Sequence, residues 1–324
     1  MLKGTLIALA FPETAVKIPP QWYKTLFKVL GLSNRGYIRA GHAALCLINH
    51  EDESILYSDF GRYITPKGHG RARTFFSDPE VVFPFKAQIA SHEILNLEEI
   101  LLFLWKEEEL THGEGPLFAS VYNNIDYHKS FTYIRHIQKL GTIPYGPFVR
   151  KGSNCSRFVK DSIKAGTSNP LVLAQLFFNG IPTISPLGNL RPSLKKFKVQ
   201  NGKVKRIGPI FFGAALNNFM KKPVFTINDT PRSINKEQIA DNAQWLSGQG
   251  SGSWFELSIK EHDKGIYNVK RFDKNRRLIF NLPFIDSEKK LHPGMDYTFI
   301  FPTHAELVTI SQSNREIRLI PFEE

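Results

Sequence analysis

Two short stretches more than a hundred residues apart constrain this chain most: Asn154-Cys155-Ser156-Arg157-Phe158-Val159 and, earlier, Gly41-His42-Ala43-Ala44-Leu45. The first reads as the start of an amphipathic helix, because Phe158, Val159 and Ile163 recur at spacings that turn one apolar face toward a core. Asn154 or Ser153 suits the cap of that helix and Gly166 suits its far end. Cys155 then falls in the first turn, where free backbone N–H groups and the positive end of the helix dipole favour a thiolate and offer an oxyanion hole. A thiol becomes a nucleophile when its proton leaves easily, and a helix start plus a nearby imidazole is the usual way to arrange that. The competing reading is a buried, inert thiol that packs as a small hydrophobe.

His42 opens a run, residues 38–49, whose centre Ala-Ala-Leu-Cys-Leu-Ile is apolar and whose ends are glycine and polar residues, the pattern of a largely buried strand. A second strand over residues 54–60 follows the polar loop 49–53, so the two are expected to pair as an antiparallel hairpin. Asp59 near the end of that partner strand is a candidate to orient the imidazole through its second nitrogen. Its local alternative is to cap the turn Asp59-Phe60-Gly61-Arg62.

A histidine on an early strand, a polar residue on the next, and a later Asn-Cys-x-x-Phe-Val at a helix start resemble the circularly permuted branch of the NlpC-type, papain-like cysteine hydrolases. The lecithin retinol acyltransferase-like enzymes are its familiar members. The order His42 before Cys155 matches the permuted arrangement, since the ordinary branch places the cysteine helix first. The resemblance covers roughly residues 36–166 and implies a thiolate at Cys155, a base at His42 and a polar orienting group on the following strand. That third group is Asp59, Tyr57 or Ser58. It further implies an α+β fold, a papain-like antiparallel sheet packed with helices. Hydrolysis or acyl transfer on an amide or ester follows, with no cofactor or metal. Peptides, cell-wall amides and lipid esters all stay open as substrates. The rival function is a non-catalytic binding or regulatory module on the same scaffold.

The glycine-rich stretch 61–73 is expected as a loop over the cleft, offering Arg62, Arg71 or Arg73 to a substrate carboxylate or phosphate. The loop 142–148, with Tyr145, delivers the chain to the cysteine helix, so Tyr145 and Asn154 join the candidate substrate contacts. Helices are expected over residues 96–110 and 126–140, with a strand over 117–122 between them and a first strand over 4–10.

A length of 324 residues allows two domains. A catalytic unit is expected over 1–224, ending in a basic hairpin at 191–206 around Asn201-Gly202, and an antiparallel β sandwich or barrel over 225–324. Gly248 to Ser253 is expected as a flexible join. The net charge of +12 invites an anionic partner, but no zinc-finger, helix-turn-helix or RNP-like pattern accompanies the basic residues, so nucleic acid is not the expected partner. No run reaches the ~20 apolar residues of a bilayer span, and the segment after Met1-Leu2-Lys3 has no convincing cleavage site. Two cysteines, Cys46 and Cys155, are too few for a disulfide framework and suggest a reducing, cytoplasmic setting. Oligomeric state is open.

Overall fold

The computed structural model describes residues 4–18, 33–181, 183–211, 213, 220–221, 239–249, 251–292 and 294–323. The boundary expected at 224/225, residues 1–3 and Gly250 lie outside them. The chain is a mixed α+β protein with a C-terminal all-β, barrel-like domain.

The first part builds an eight-stranded antiparallel sheet. Its strands are β1 (Gly4–Phe11), β2 (His42–Asn49), β3 (Ile55–Gly61), β4 (His69–Arg73), β5 (Leu117–Ile125), β6 (Ile143–Pro144), β7 (Lys195–Gln200) and β8 (Lys203–Ile207), in the order β6-β4-β3-β2-β1-β5-β7-β8. Both faces are covered. Leu6, Ala8, Leu45, Leu47 and Phe60 lie on one side, against α2 (Tyr127–Lys139), α3 (Cys155–Gly166) and α4 (Pro170–Asn179). Ile7, Leu9, Cys46, Ile48 and Tyr57 lie on the other, against α1 (Leu97–Lys106). Successive residues of a strand point to opposite faces, so a strand covered twice must be apolar throughout. That is why the uninterrupted runs of β1 and β2 are buried almost end to end. Each fully buried Leu or Phe here contributes about 1.5–3 kcal/mol.

Three local expectations are corrected. The helix expected over 96–110 stops at Lys106 and resumes as one turn, Glu108–Thr111, because consecutive glutamates oppose the negative end of a helix dipole. The stretch 61–73 is a hairpin rather than a loop: Arg71 and Arg73 are residues of β4, paired with Gly61 and Asp59. Gly70 is there for room, since a Cβ would sit 2.7 Å from the Tyr145 ring and 2.8 Å from the Gly61 carbonyl oxygen. Gly166 does not end α3 through a left-handed turn either. It is the last residue of the helix, where a Cβ would come 2.2 Å from Ser130 Oγ on α2.

The C-terminal part is a seven-stranded antiparallel sheet of β9 (Gln244–Ser247), β10 (Gly252–Glu261), β11 (Ile266–Phe272), β12 (Leu278–Ile285), β13 (Thr298–His304), β14 (Leu307–Gln312) and β15 (Arg315–Pro321). Their order is β9-β10-β11-β12-β15-β14-β13. The sheet curls around Phe255, Val269, Phe284, Val308 and Leu319 until its two edges meet. There the Gln244 side chain spans the seam, donating to the Tyr297 carbonyl at 2.8 Å and accepting from Phe299 N–H at 2.9 Å. The described residues of the expected flexible join are ordered: Gly252 and Ser253 open β10, paired with Ser247 and Leu246 of β9, Trp245 stands opposite Trp254, and Gly248 N–H bonds the Ser251 carbonyl at 2.7 Å. Among the described residues no helix is long and apolar enough to cross a membrane.

Candidate active site between the first sheet and the barrel

Gly41 sets the entry of β2. It has φ +73°, and a Cβ would come 3.0 Å from the Phe11 carbonyl oxygen and Pro12 Cα, so only glycine delivers His42 opposite Phe11. The register pairs Ala44 with Asp59, which puts Asp59 diagonally across from His42 on one face. His42 Nε2 lies 3.3 Å from Asp59 Oδ2.

Asp59 is fully buried and heavily bonded. Its carboxylate accepts from Tyr57 Oη at 3.1 Å, Tyr63 Oη at 2.8 Å, Arg73 Nε at 3.0 Å and Arg73 Nη2 at 2.7 Å. Burial alone would raise its pKa, but the Arg73 charge and the hydrogen bonds from His42 and Arg73 hold it far below the usual carboxylate range. Of the three candidates for the third group, only Asp59 meets the imidazole. Tyr57 stands behind it, and Ser58 faces the opposite side and donates to the Arg73 carbonyl at 2.8 Å.

Cys155 is the first residue of α3, capped by Asn154, whose Oδ1 accepts from Arg157 N–H at 2.8 Å. Tyr145 Oη donates to its Sγ at 3.9 Å and Ser156 Oγ lies at the same distance, with the His42 imidazole near enough to act on the thiol's ionisation. Burial disfavours the thiolate, yet the His42 hydrogen bond and charge, followed by Ala43 N–H, bring the Cys155 pKa below its ordinary value. Burial likewise opposes a charge on His42, and the bonds to Asp59 and Cys155 override it, raising its pKa to about 9. Each shift favours the charged form of its group, thiolate on Cys155 and imidazolium on His42. Cys46, mid-strand in β2, shows the opposite case: burial without a partner pushes its thiol pKa up.

The remaining candidates divide. Tyr145 stacks on Phe60 with centroids 5.9 Å apart and faces the sulfur. Arg62 lies over the Tyr145 ring at 5.2 Å, donating to the Lys17 carbonyl at 2.7 Å and to Gln249 Oε1 at 3.4 Å. Arg71 is not available to a substrate. It is 2% exposed, its guanidinium forms a bidentate pair with Asp78 at 2.5 Å, and its Nε bonds the Tyr63 carbonyl. Arg73 is committed to Asp59, and Asn154 to the cap of α3.

An open cleft of about 520 Å³ lies against this cluster, walled by His42, Tyr63, Arg73 and Tyr145 on one side and by Ser253 and Arg271 of the barrel on the other. The barrel is welded on through Asp78, shared by Arg71 and by Arg271 Nη1 at 3.1 Å, and through Arg271 with Glu80 at 3.0 Å. Arg135 of α2 also pairs bidentately with Glu306 of the barrel. Sequence reasoning missed Asp78, Gln249 and His112, a further lining residue. None has a local signal, since each acquires its partner only through the tertiary fold. Among the described residues no group of three His, Cys, Asp or Glu side chains is arranged to hold a metal ion.

Comparison with known proteins adds four findings. A family profile described as type VI secretion system effector TseH-like matches residues 6–171. A second, the DUF6695 C-terminal domain, matches residues 243–321. The crystal structure of the type VI secretion system effector TseH is similar at 22% identity and TM-score 0.43, covering 63% of this chain and 97% of that one. No curated protein matches the chain. The first profile spans just over half of the sequence and includes His42, Asp59 and Cys155, so the chain belongs to the type VI secretion system effector TseH-like family.

Proposed function

We propose that the protein is a cysteine-dependent hydrolase of the permuted papain-like, NlpC-type kind, working through an acyl-enzyme on Cys155. The observation that carries this reading is the His42 Nε2–Asp59 Oδ2 contact at 3.3 Å together with Cys155 at the Asn154-capped start of α3, where the imidazole lowers the thiol pKa. The Cys155 thiolate attacks a carbonyl carbon, and the oxyanion that forms takes hydrogen bonds from Ala43 N–H, the α3 N-terminus and Tyr145 Oη. The His42 imidazolium passes its proton to the leaving amine or alcohol as the C–N or C–O bond breaks. Neutral His42 then takes a proton from water, whose oxygen displaces the thiolate and releases the acid. An incoming amine or alcohol in place of water gives acyl transfer by the same steps. Asp59 keeps the imidazole oriented and its charge compensated. Amides and esters both fit, and peptide, cell-wall amide and lipid ester substrates share this chemistry. The family description, a secretion effector, favours delivery out of the producing cell over the cytoplasmic setting suggested by cysteine usage.

Alkylation tests the reading. Iodoacetamide at pH 6.5 is expected to label Cys155 well before Cys46, with His42→Ala slowing the reaction at Cys155 tenfold or more and Cys155→Ala removing all turnover. Equal slow labelling of both cysteines, or turnover that survives both substitutions, defeats the proposal and leaves a binding module on a papain-like scaffold.

A further inference from the structure

His112 lies outside the Cys155, His42 and Asp59 constellation, yet it lines the cleft that His42 borders and is exposed there. Three observations fix it. Its backbone is left-handed, φ 51° and ψ 27°, at the end of the turn Glu108–Thr111, where its N–H bonds the Glu108 carbonyl at 2.7 Å. That conformation is uncommon outside glycine and is retained where the surroundings enforce it. Its ring stacks on Tyr63 with centroids 5.0 Å apart. Its Nε2 lies 3.2 Å from Arg73 Nη1.

The last contact decides the chemistry. A guanidinium has donors only and keeps its charge, so Nε2 must accept, and the one ring proton of the neutral imidazole must sit on Nδ1. Nδ1 has no acceptor among the described residues. Packing between Tyr63 and Arg73, together with the Arg73 charge, pushes the pKa of His112 down to about 3, so the ring neither gains nor loses a proton near neutrality. Arg73 thereby serves two residues at once, compensating Asp59 and setting the tautomer of His112.

We infer that His112 is a substrate-binding residue, presenting a fixed Nδ1–H donor to a carbonyl or carboxylate oxygen of the substrate beside the scissile bond. This rests on the hydrolase reading for its purpose but not for its first test. Long-range ¹H–¹⁵N correlation spectra of the whole protein, with the ring assigned by its loss in His112→Asn, are expected to show the Nδ1–H tautomer unchanged from pH 5 to 9. An Nε2–H tautomer, or titration near pH 6.5, overturns the inference whether or not Cys155 is a nucleophile. The second test compares two reagents on Cys155, iodoacetamide and a dipeptidyl chloromethyl ketone whose carbonyl oxygens extend along the cleft. His112→Phe keeps an aromatic ring against Tyr63 and deletes the donor. The ratio of ketone to iodoacetamide rates is expected to fall about tenfold, and an unchanged ratio overturns the inference. Failure of the hydrolase reading looks different, with neither reagent preferring Cys155 over Cys46.

Discussion

Asp59 and Asp78 are both fully buried carboxylates, each clamped by an arginine from strand β4, Arg73 for the first and Arg71 for the second. They differ in what else they hold. Asp59 spends its remaining capacity on two tyrosines and an imidazole that faces a cleft. Asp78 spends it on Ser77 and on Arg271 from the barrel. One strand therefore supplies two counter-charges two residues apart, one for a reactive cluster and one for a joint between the two sheets. Buried charges of this kind add little net stability when satisfied, but removing one partner leaves the other stranded in a medium that cannot solvate it.

The sharpest way to break the parallel is to remove Asp78. Asp78→Ala leaves Arg71 and Arg271 without their shared anion and is expected to cost roughly 3–5 kcal/mol, read as a fall in urea midpoint. A loss below about 1 kcal/mol would mean that the weld is incidental. Asp59→Asn should cost less stability, because the amide oxygen still accepts from Arg73, but it should strike the chemistry harder. With Asp59 present, His42 keeps its proton up to about pH 9. Without the carboxylate that ceiling falls, and the thiolate appears only toward the ordinary cysteine pKa of about 8.5. Alkylation of Cys155 at pH 6.5 is expected to slow about tenfold, and a pH profile that stays in place would show that the His–Cys pair needs no third member.

A smaller effect separates the two regions by pH. Burial, then the Arg71 charge, hold the His304 pKa down to about 3 beside the Asp78 joint. Below about pH 6.5 the unfolded chain takes up a proton there that the folded protein refuses, so stability declines from pH 6.5 toward 3. His304→Gln should flatten that decline in urea midpoints compared at pH 7 and 4.5, while His112 keeps part of the slope. The two aspartates, with pKa values held low, add a further loss only below about pH 4. The smallest expected effect is that of Arg277→Ala. It opens an exposed pair with Glu109 at 3.0 Å across the cleft mouth, for which a change under about 1 kcal/mol is expected in thermal denaturation.

Much of this architecture is written in local patterns. The twice-covered strands β1 and β2 read as unbroken apolar runs, and α2 and α3 as periodic ones, because burial on one or two faces leaves its period in the chain. Helix α4 leaves no such mark, since Pro170–Asn179 is apolar nearly all round and shows no polar face to set a period. His42 and Cys155 were legible as a pair only through their motifs. Asp59 was one of three possibilities until the register with Ala44 fixed its face. Strand β4 was misread because Gly68 and Gly70 depress β propensity, while the reason for Gly70 is a ring from a segment more than seventy residues away. The counter-charges Arg71, Arg73 and Arg271 carry no local sign of their partners.

Arg157 shows how the nucleophile is held. Its guanidinium bonds the carbonyl oxygens of Pro147, Val149 and Gly152, so the segment running from Tyr145 to the start of α3 is pinned from within the helix that carries Cys155. The sulfur and the phenol beside it are thereby parts of one rigid body. A ligand that enters finds them already aligned and loses little freedom of theirs on arrival, which lets contact energy go toward the reacting bond.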